Sequence, residues 1–225
     1  MADNGQTFGA GTATGKDVIV IATKNGGKVK EFAHALDKLG KTVVSLHDYP
    51  EIPDIAEDGD TFAANARIKA KTTGDALGVP ALADDSGLRV EALGGEPGVY
   101  SARYAGAGAS DGDNNAKLIR ELVAAGAACS DEPLADGSLQ LSKAQFVCAL
   151  ALYDPSTGEF VEAEGTVDGI ITDKAHGDGG FGYDPHFWLP QLGRGMAELS
   201  KEEKGRISHR GEALKELLPL LMKER

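Results

Sequence analysis

The chain has 225 residues, 41% hydrophobic and 26% charged, enough for one sizeable core and unlike a collagenous or low-complexity polypeptide. Its formal net charge of −12 repels nucleic acid and anionic lipid, which argues against either as a partner. The charge is uneven: residues 194–225 carry 8 Lys/Arg against 6 Asp/Glu, a locally cationic end suited to a small polyanion.

Two cysteines, Cys129 and Cys148, match neither a zinc nor a C-x-x-C spacing and read as free thiols of a reducing cytoplasm. Residues 1–16 are polar and rich in Gly and Thr, without the apolar segment of a signal peptide. They are expected to be a disordered tail ahead of a single two-lobed domain over 17–225. No apolar run approaches the roughly 20 residues that cross a bilayer.

Residues 18–22 are a short β-branched run and predict a buried parallel strand. Residues 28–39 place Val29, Phe32, Ala33, Leu36 and Leu39 at helical spacing, with Gly40 as the stop. Residues 42–46 predict a second strand, so the chain opens as the β-α-β unit of an α/β sheet. Residues 61–77 predict an Ala-rich helix ended by Gly78. Residues 81–83 predict a strand running into an acidic turn, Asp84-Asp85-Ser86-Gly87, and 88–93 another strand. A third helix is expected over 111–125, with Leu118, Ile119 and Leu122 on one face, and then a mobile loop over 127–145. Residues 146–153 and 160–171 predict a long antiparallel pair around Asp154-Pro155-Ser156-Thr157-Gly158. Ser200 and Glu203 fit a capping box, and Ser208 begins a final helix.

Several local motifs carry chemistry. Thr23-Lys24-Asn25-Gly26-Gly27-Lys28 lies between the first strand and first helix, where α/β sheets bind ligands and helix amides meet phosphate. It serves equally well as a plain turn. Asp84 and Asp85 stand at a strand end, and neighbours on an extended segment point opposite ways, so one of them should face a site. A hard cation such as Mg2+ takes one or two carboxylates plus phosphate oxygens; a polar turn is the alternative. Glu51, Asp54, Glu57, Asp58 and Asp60 form an acidic loop able to add a second metal ligand or to sit in solvent. Phe181-Gly182-Tyr183-Asp184 offers two rings and a carboxylate, a base-stacking slot or packed aromatics. Lys204, Arg206, His209 and Arg210 are cationic or donor groups of the C-terminal segment. Two look-alikes fail. Residues 10–17 depart from a P-loop at Ala10 and Asp17, and Gly177 to Gly182 satisfies G-x-G-x-x-G but runs into Tyr183-Asp184-Pro185, which cannot open a dinucleotide-binding helix.

Together these pieces resemble the inosine triphosphatase family. The matching runs are Ile21-Ala-Thr-Lys-Asn-Gly-Gly-Lys-Val-Lys-Glu-Phe32, Thr61-Phe-Ala-Ala-Asn-Ala66 and Ala83-Asp-Asp-Ser-Gly-Leu88. Gly98-Val-Tyr-Ser-Ala-Arg-Tyr104, Gly179-Gly-Phe-Gly-Tyr-Asp-Pro185 and Glu203-Lys-Gly-Arg-Ile-Ser-His-Arg-Gly211 follow in order. The resemblance implies an elongated mixed sheet flanked by helices, two lobes with a central nucleotide cleft, and a homodimer. It implies Mg2+-dependent hydrolysis of ITP, dITP and XTP to the monophosphate and pyrophosphate, which clears wrong bases from the nucleotide pool. By resemblance, the segment Thr23, Lys24, Asn25, Gly26, Gly27 and Lys28 binds substrate, with Thr23, Asn25 and Lys28 on the phosphates. Asp85 is the general base and a metal carboxylate, Ser86 contacts substrate, and Glu57, or Glu51 in its place, is the second metal ligand. Phe181, Gly182, Tyr183, Asp184, Lys204, His209 and Arg210 form the nucleoside-binding set. Lys24 stands where the family often has Gly.

The chemistry is coherent with that resemblance. Attack of water on the α-phosphorus needs charge neutralisation and a base, and no Ser or Cys nucleophile. A 6-oxo purine presents an acceptor at O6 and a donor at N1, the reverse of adenine, and Arg210 and His209 are suitable donors to O6. A pyrophosphatase for modified pyrimidine nucleotides, a silent nucleotide-binding regulator and, more weakly, a kinase are the competing readings.

Overall fold

The β-branched run after the N-terminal segment forms β1 (Val18–Ile21), and Thr42–Ser45 forms β2 parallel to it, with α1 (Gly26–Asp37) between them in the chain. This computed structural model describes residues 18–37, 40–50 and 52–223; the expectations for the N-terminal tail, Leu39 and Glu51 fall outside those residues. α2 (Phe62–Leu77) is capped as its sequence predicts: Thr61 Oγ1 accepts from the Ala64 amide, and Gly78 closes it with φ +67°.

β3 (Ala81–Val90) lies parallel to β1 and antiparallel to β4 (Gln140–Asp154), which pairs in turn with β5 (Glu159–Thr172). β6 (Phe187–Leu189) and β7 (Arg194–Gly195) complete one mixed seven-stranded sheet of order β2-β1-β3-β4-β5-β6-β7. α3 (Asp111–Ala124), α4 (Lys201–Ile207) and α5 (His209–Lys223) flank it. Ser200 and Glu203 form the expected capping box, and Ser208 separates α4 from α5.

Strand alternation sorts the core into three clusters. Ile19, Ile21, Leu82, Cys148 and Leu150 face α1 and α5, while Val20, Ala83, Val147, Ala149 and Ala151 face α2. The far ends of β3, β4 and β5 pack Leu88, Phe146, Val167 and Ile171 against Leu118 and Leu122 of α3.

Three sequence expectations are corrected. Asp84-Asp85-Ser86-Gly87 is not a turn, and 81–83 and 88–93 are not separate strands: β3 runs unbroken, paired to β4 from Ala81↔Tyr153 to Val90↔Ala144. Continuous pairing with β4 overrides the weak strand preference of Asp, Ser and Gly, β1 reaching only Ala81 and Leu82. Gly87 fits because a Cβ there would meet Gly98 O and the Phe62 ring, each at 2.8 Å; the 3-10 segment Gly98–Arg103 lies directly on the strand. The expected loop over 127–145 ends early, since β4 takes residues 140–145. α1 starts at Gly26, so Gly26 and Gly27 belong to its first turn.

Candidate active site

The turn between β1 and α1 is built around Asn25. Its Oδ1 accepts from the amides of Gly27 (2.9 Å) and Lys28 (3.2 Å), so it caps α1, while Thr23 Oγ1 accepts from the Asn25 amide at 3.1 Å. Two of the helix amides expected to meet phosphate are therefore satisfied by Asn25 itself. Lys24 reaches the acidic loop, 2.7 Å from Asp54, with both groups solvated. Lys28 turns inward, its Nζ 2.7 Å from Asp84 Oδ2.

Asp84 and Asp85 are both buried, and they face opposite sides of β3. On the α5 side, Asp84 Oδ2 accepts from Lys28, from Ser86 Oγ (3.0 Å) and from Arg210 Nη2 (3.3 Å). Burial would push its carboxyl up, but Lys28, Arg210 and Lys69 outweigh burial and hold it well below the usual carboxylate range. On the α2 side, Asp85 Oδ2 accepts from Asn65 Nδ2 (3.0 Å) and Oδ1 from Lys69 Nζ (3.3 Å). Here burial dominates, reinforced by Glu57 and opposed by Lys69 and Asn65, and the Asp85 carboxyl lies above its ordinary value. Lys69 Nζ also donates to Glu57 Oε1 at 2.7 Å. Burial alone would lower the Lys69 pKa, but Asp85, Asp84 and Glu57 raise it, so its ammonium stays charged.

Two cavities follow from this arrangement, and Lys28 borders both. One, of about 250 Å³, is lined by Thr23, Lys24, Lys28, Asp54, Glu57, Lys69 and Asp84, with Asp85 directly behind Lys69. The other, of about 290 Å³, is lined by Asn25, Ser86, Phe146, Phe181, Gly182, Tyr183, Asp184, Lys204, His209 and Arg210 among others. The first mixes ammonium and carboxylate groups, which suits a metal–polyphosphate complex. The second has aromatic walls and a few polar atoms, which suits a flat heterocycle.

The second cavity gathers the C-terminal motifs. α5 can approach because β5 carries Gly165: a Cβ there would lie 2.8 Å from Ala213 Cα and closer still to the backbone of His209. The His209 ring stacks on Phe146, with centroids 4.9 Å apart and planes at 16°. Burial, with Arg210 and Lys204 nearby, lowers its pKa to about 3, so the imidazole is neutral at pH 7. Arg210 gives Nη1 to Glu31 (2.9 Å) and Nη2 to Asp84, leaving Nε without a protein partner. His209 Nδ1 is likewise unpaired. Asp184 Oδ2 accepts from the Phe181 amide (2.8 Å) and from Lys204 Nζ (2.5 Å), and that ammonium lies 5.2 Å from the centre of the half-exposed Phe181 ring.

Of the site residues expected from sequence, Thr23, Lys24, Lys28 and Glu57 line the first cavity and Asn25, Lys28, Ser86, Phe181, Gly182, Tyr183, Asp184, Lys204, His209 and Arg210 the second, while Gly26, Gly27 and Asp85 line neither, Asp85 being reached through Lys69. The sequence reading missed Asn65, Lys69, Asp84 and Glu31. Asn65 and Lys69 had a signal: with Thr73 they form a polar row at i, i+4, i+8 beside the apolar row Phe62, Ala66, Ala70, and all three are buried. Among the described residues no group of three or more His, Cys, Asp or Glu side chains converges as a ready metal cage, and no helix is long and apolar enough to cross a membrane. Cys129 is exposed, Cys148 is buried, and both are free thiols.

The sequence model of the Ham1 family matches residues 19–220. A curated relative, the dITP/XTP pyrophosphatase of Geobacillus kaustophilus, is 52% identical over 200 residues, covering 88% of this chain and 91% of its own length. Among solved structures, a HAM1 protein from Coxiella burnetii superposes with a TM-score of 0.80 at 38% identity, over 92% of this chain and 98% of its own. The Ham1 protein of Staphylococcus aureus gives 0.78 at 40% identity, over 92% and 100%. With the family model matched over nearly all of the described residues and a curated relative 52% identical over most of both chains, this chain belongs to the Ham1 family.

Proposed function

We propose that the protein hydrolyses purine nucleoside triphosphates with a 6-oxo base, ITP, dITP and XTP, to the monophosphate and pyrophosphate with Mg2+ as cofactor. The observation that carries this reading is the junction at Lys28, where a carboxylate–ammonium cavity adjoins a ring-lined cavity. A triphosphate tail fits the first and its base the second. The dITP/XTP pyrophosphatase name of the relatives supports the substrate class and the reaction.

The residues suit a hard divalent cation: Glu57 and Asp85 both reach one cation already, the Lys69 ammonium, at 2.7 and 3.3 Å. A bound Mg2+ supplies charge neutralisation on the phosphates and lowers the pKa of water. Asp85 takes the proton of the attacking water, its carboxylate aimed by Asn65 and Lys69. Lys28, held by Asp84, stabilises negative charge building on the phosphates. Thr23, Lys24, Asn25, Gly26 and Gly27 shape the phosphate turn, and Ser86 borders the junction. At the base, neutral His209 and the Nε–H of Arg210 are the remaining donors for O6, while Phe181 and Tyr183 form ring walls. An adenine amino group in the same place leaves those donors unpaired, which costs binding.

A cytoplasmic homodimer of one two-lobed domain completes the reading; sedimentation at two protein concentrations tests the dimer. The deciding assay supplies Mg2+ with ITP, dITP, XTP, GTP or ATP and quantifies all products. Monophosphate plus pyrophosphate from ITP, dITP and XTP, with ATP nearly untouched, is expected; GTP shares the O6 acceptor, so its rejection has to come from a contact at its 2-amino group rather than from His209 and Arg210. Diphosphate plus phosphate overturns the bond assignment, and ITP binding without product makes the protein a regulator.

A further inference from the structure

The loop that carries Phe181 and Tyr183 is held by a part of the molecule that the motif reading left unused. Gly182, with φ +62°, is its one left-handed residue within 181–184. Both backbone groups of Gly182 are taken by α3. Its amide donates to Asp111 Oδ2 at 2.6 Å, and its carbonyl accepts from Asn115 Nδ2 at 2.7 Å. Asp111 and Asn115 are one helical turn apart and share a face of α3.

Helix formation does not explain Asp111. Ser110 is the N-cap, and its capping box is closed by Asp113, whose Oδ2 accepts from the Ser110 amide at 2.9 Å. The Asp111 carboxylate is left to reach across the cavity wall. Nor does burial require the bond, because Gly182 is partly exposed and water would satisfy its amide. The neighbouring ties point the same way: Tyr183 Oη donates to Ser101 O at 2.8 Å, and Asn114 Oδ1 accepts from the Ala105 amide at 2.8 Å. The loop's opposite side is tied to α4 through Asp184 and Lys204. The two α3 bonds hold Gly182 itself, directly beside the Phe181 ring.

We propose that Asp111 and Asn115 are positioning residues for base recognition, clamping Gly182 so that the Phe181 and Tyr183 rings keep a slot fitted to a flat 6-oxo purine. The inference rests on the assignment of that cavity to the base. They touch no reacting atom, so their effect belongs to binding and selectivity. A rigid slot gains affinity by sparing the ordering cost on binding.

The test compares wild type, Asp111→Ala and Asp111→Asn in steady-state kinetics on ITP and ATP, with calorimetric binding of IMP as a second readout. Asp111 is exposed and outside the cap, so these variants keep the fold. Asp111→Ala removes the acceptor and is expected to raise KM for ITP and Kd for IMP by roughly tenfold, with a much smaller change in kcat and a reduced ITP-over-ATP preference. Asp111→Asn keeps an acceptor of the same shape and is expected to restore most of the loss. Unchanged KM and Kd in Asp111→Ala overturn the clamp, as does a loss confined to kcat. Equal damage from Asp111→Asn overturns it too, because charge rather than the bond is then responsible. Wild type that ignores ITP from the start refutes the base assignment instead, so the two failures are distinguishable.

Discussion

Asp84 and Asp85 are adjacent in sequence and opposite in electrostatic character, and a pair of isosteric substitutions separates them. Asp84 is ionised among three cations that outweigh its burial. Asp84→Asn leaves buried Arg210 with Glu31 alone and half-buried Lys28 without its carboxylate, and breaking a buried pair costs up to about 3–5 kcal/mol, the low end being expected here. Asp85 has a raised pKa, which means that its ionised form is disfavoured in the folded protein. Asp85→Asn therefore removes a disfavoured charge while Lys69 keeps Glu57, and stability at pH 7 should be unchanged or slightly higher. Turnover should fall by about 10³-fold with the base gone. Urea unfolding and ITP hydrolysis on both variants check the contrast; full turnover in Asp85→Asn sinks its role as base, and equal stability losses sink the distinction between the two faces.

At the scale of elements, the site depends on α5 lying unusually close to the sheet. Gly165 on β5 makes that approach possible, and Gly165→Ala would drive a methyl into the backbone at His209 and Ala213. Overpacking of this kind costs about 1–3 kcal/mol, and since backbone cannot rotate aside as a side chain can, the high end is expected. The shift carries His209 and Arg210 with it, so KM for ITP should rise along with the fall in Tm; a variant with wild-type Tm would show that α5 has slack at this point. Gly165 illustrates what sequence reading leaves out. The caps of α2 and α4 were legible because Thr61, Gly78, Ser200 and Glu203 act on their own helices. The β4–β5 hairpin was legible from alternation over many residues. Gly165 and Asp111 act across the fold, and spacing along the chain does not announce a partner 71 residues away; the polar row of α2 marks Asn65 as buried but does not name Asp85 as its partner. The continuous β3 was misread for a related reason: Asp, Ser and Gly favour turns locally, and only the β4 partner together with the segment seated on Gly87 makes them strand.

At the scale of the whole molecule, a buried neutral imidazole and a buried ionised carboxylate make stability depend on acid. His209 has an ordinary value of 6.5 and about 3 in the folded chain. The unfolded state therefore binds a proton that the folded state refuses between these values, and stability rises with pH across that window. The contribution is fully present above 6.5 and is lost progressively as pH falls toward 3. Asp84 adds loss of the same sign once pH drops below its ordinary value of 3.8. Asp85, with its raised value, works the other way, gaining stability as it protonates. Just below neutrality His209 makes stability rise with pH. His209→Gln keeps a polar side chain that does not titrate. Its unfolding free energy should change less between about pH 7.5 and about pH 5.5 than that of wild type. Identical slopes in the two proteins would mean that His209 takes up its proton in the folded state, as it would if the Phe146 stack opened to water.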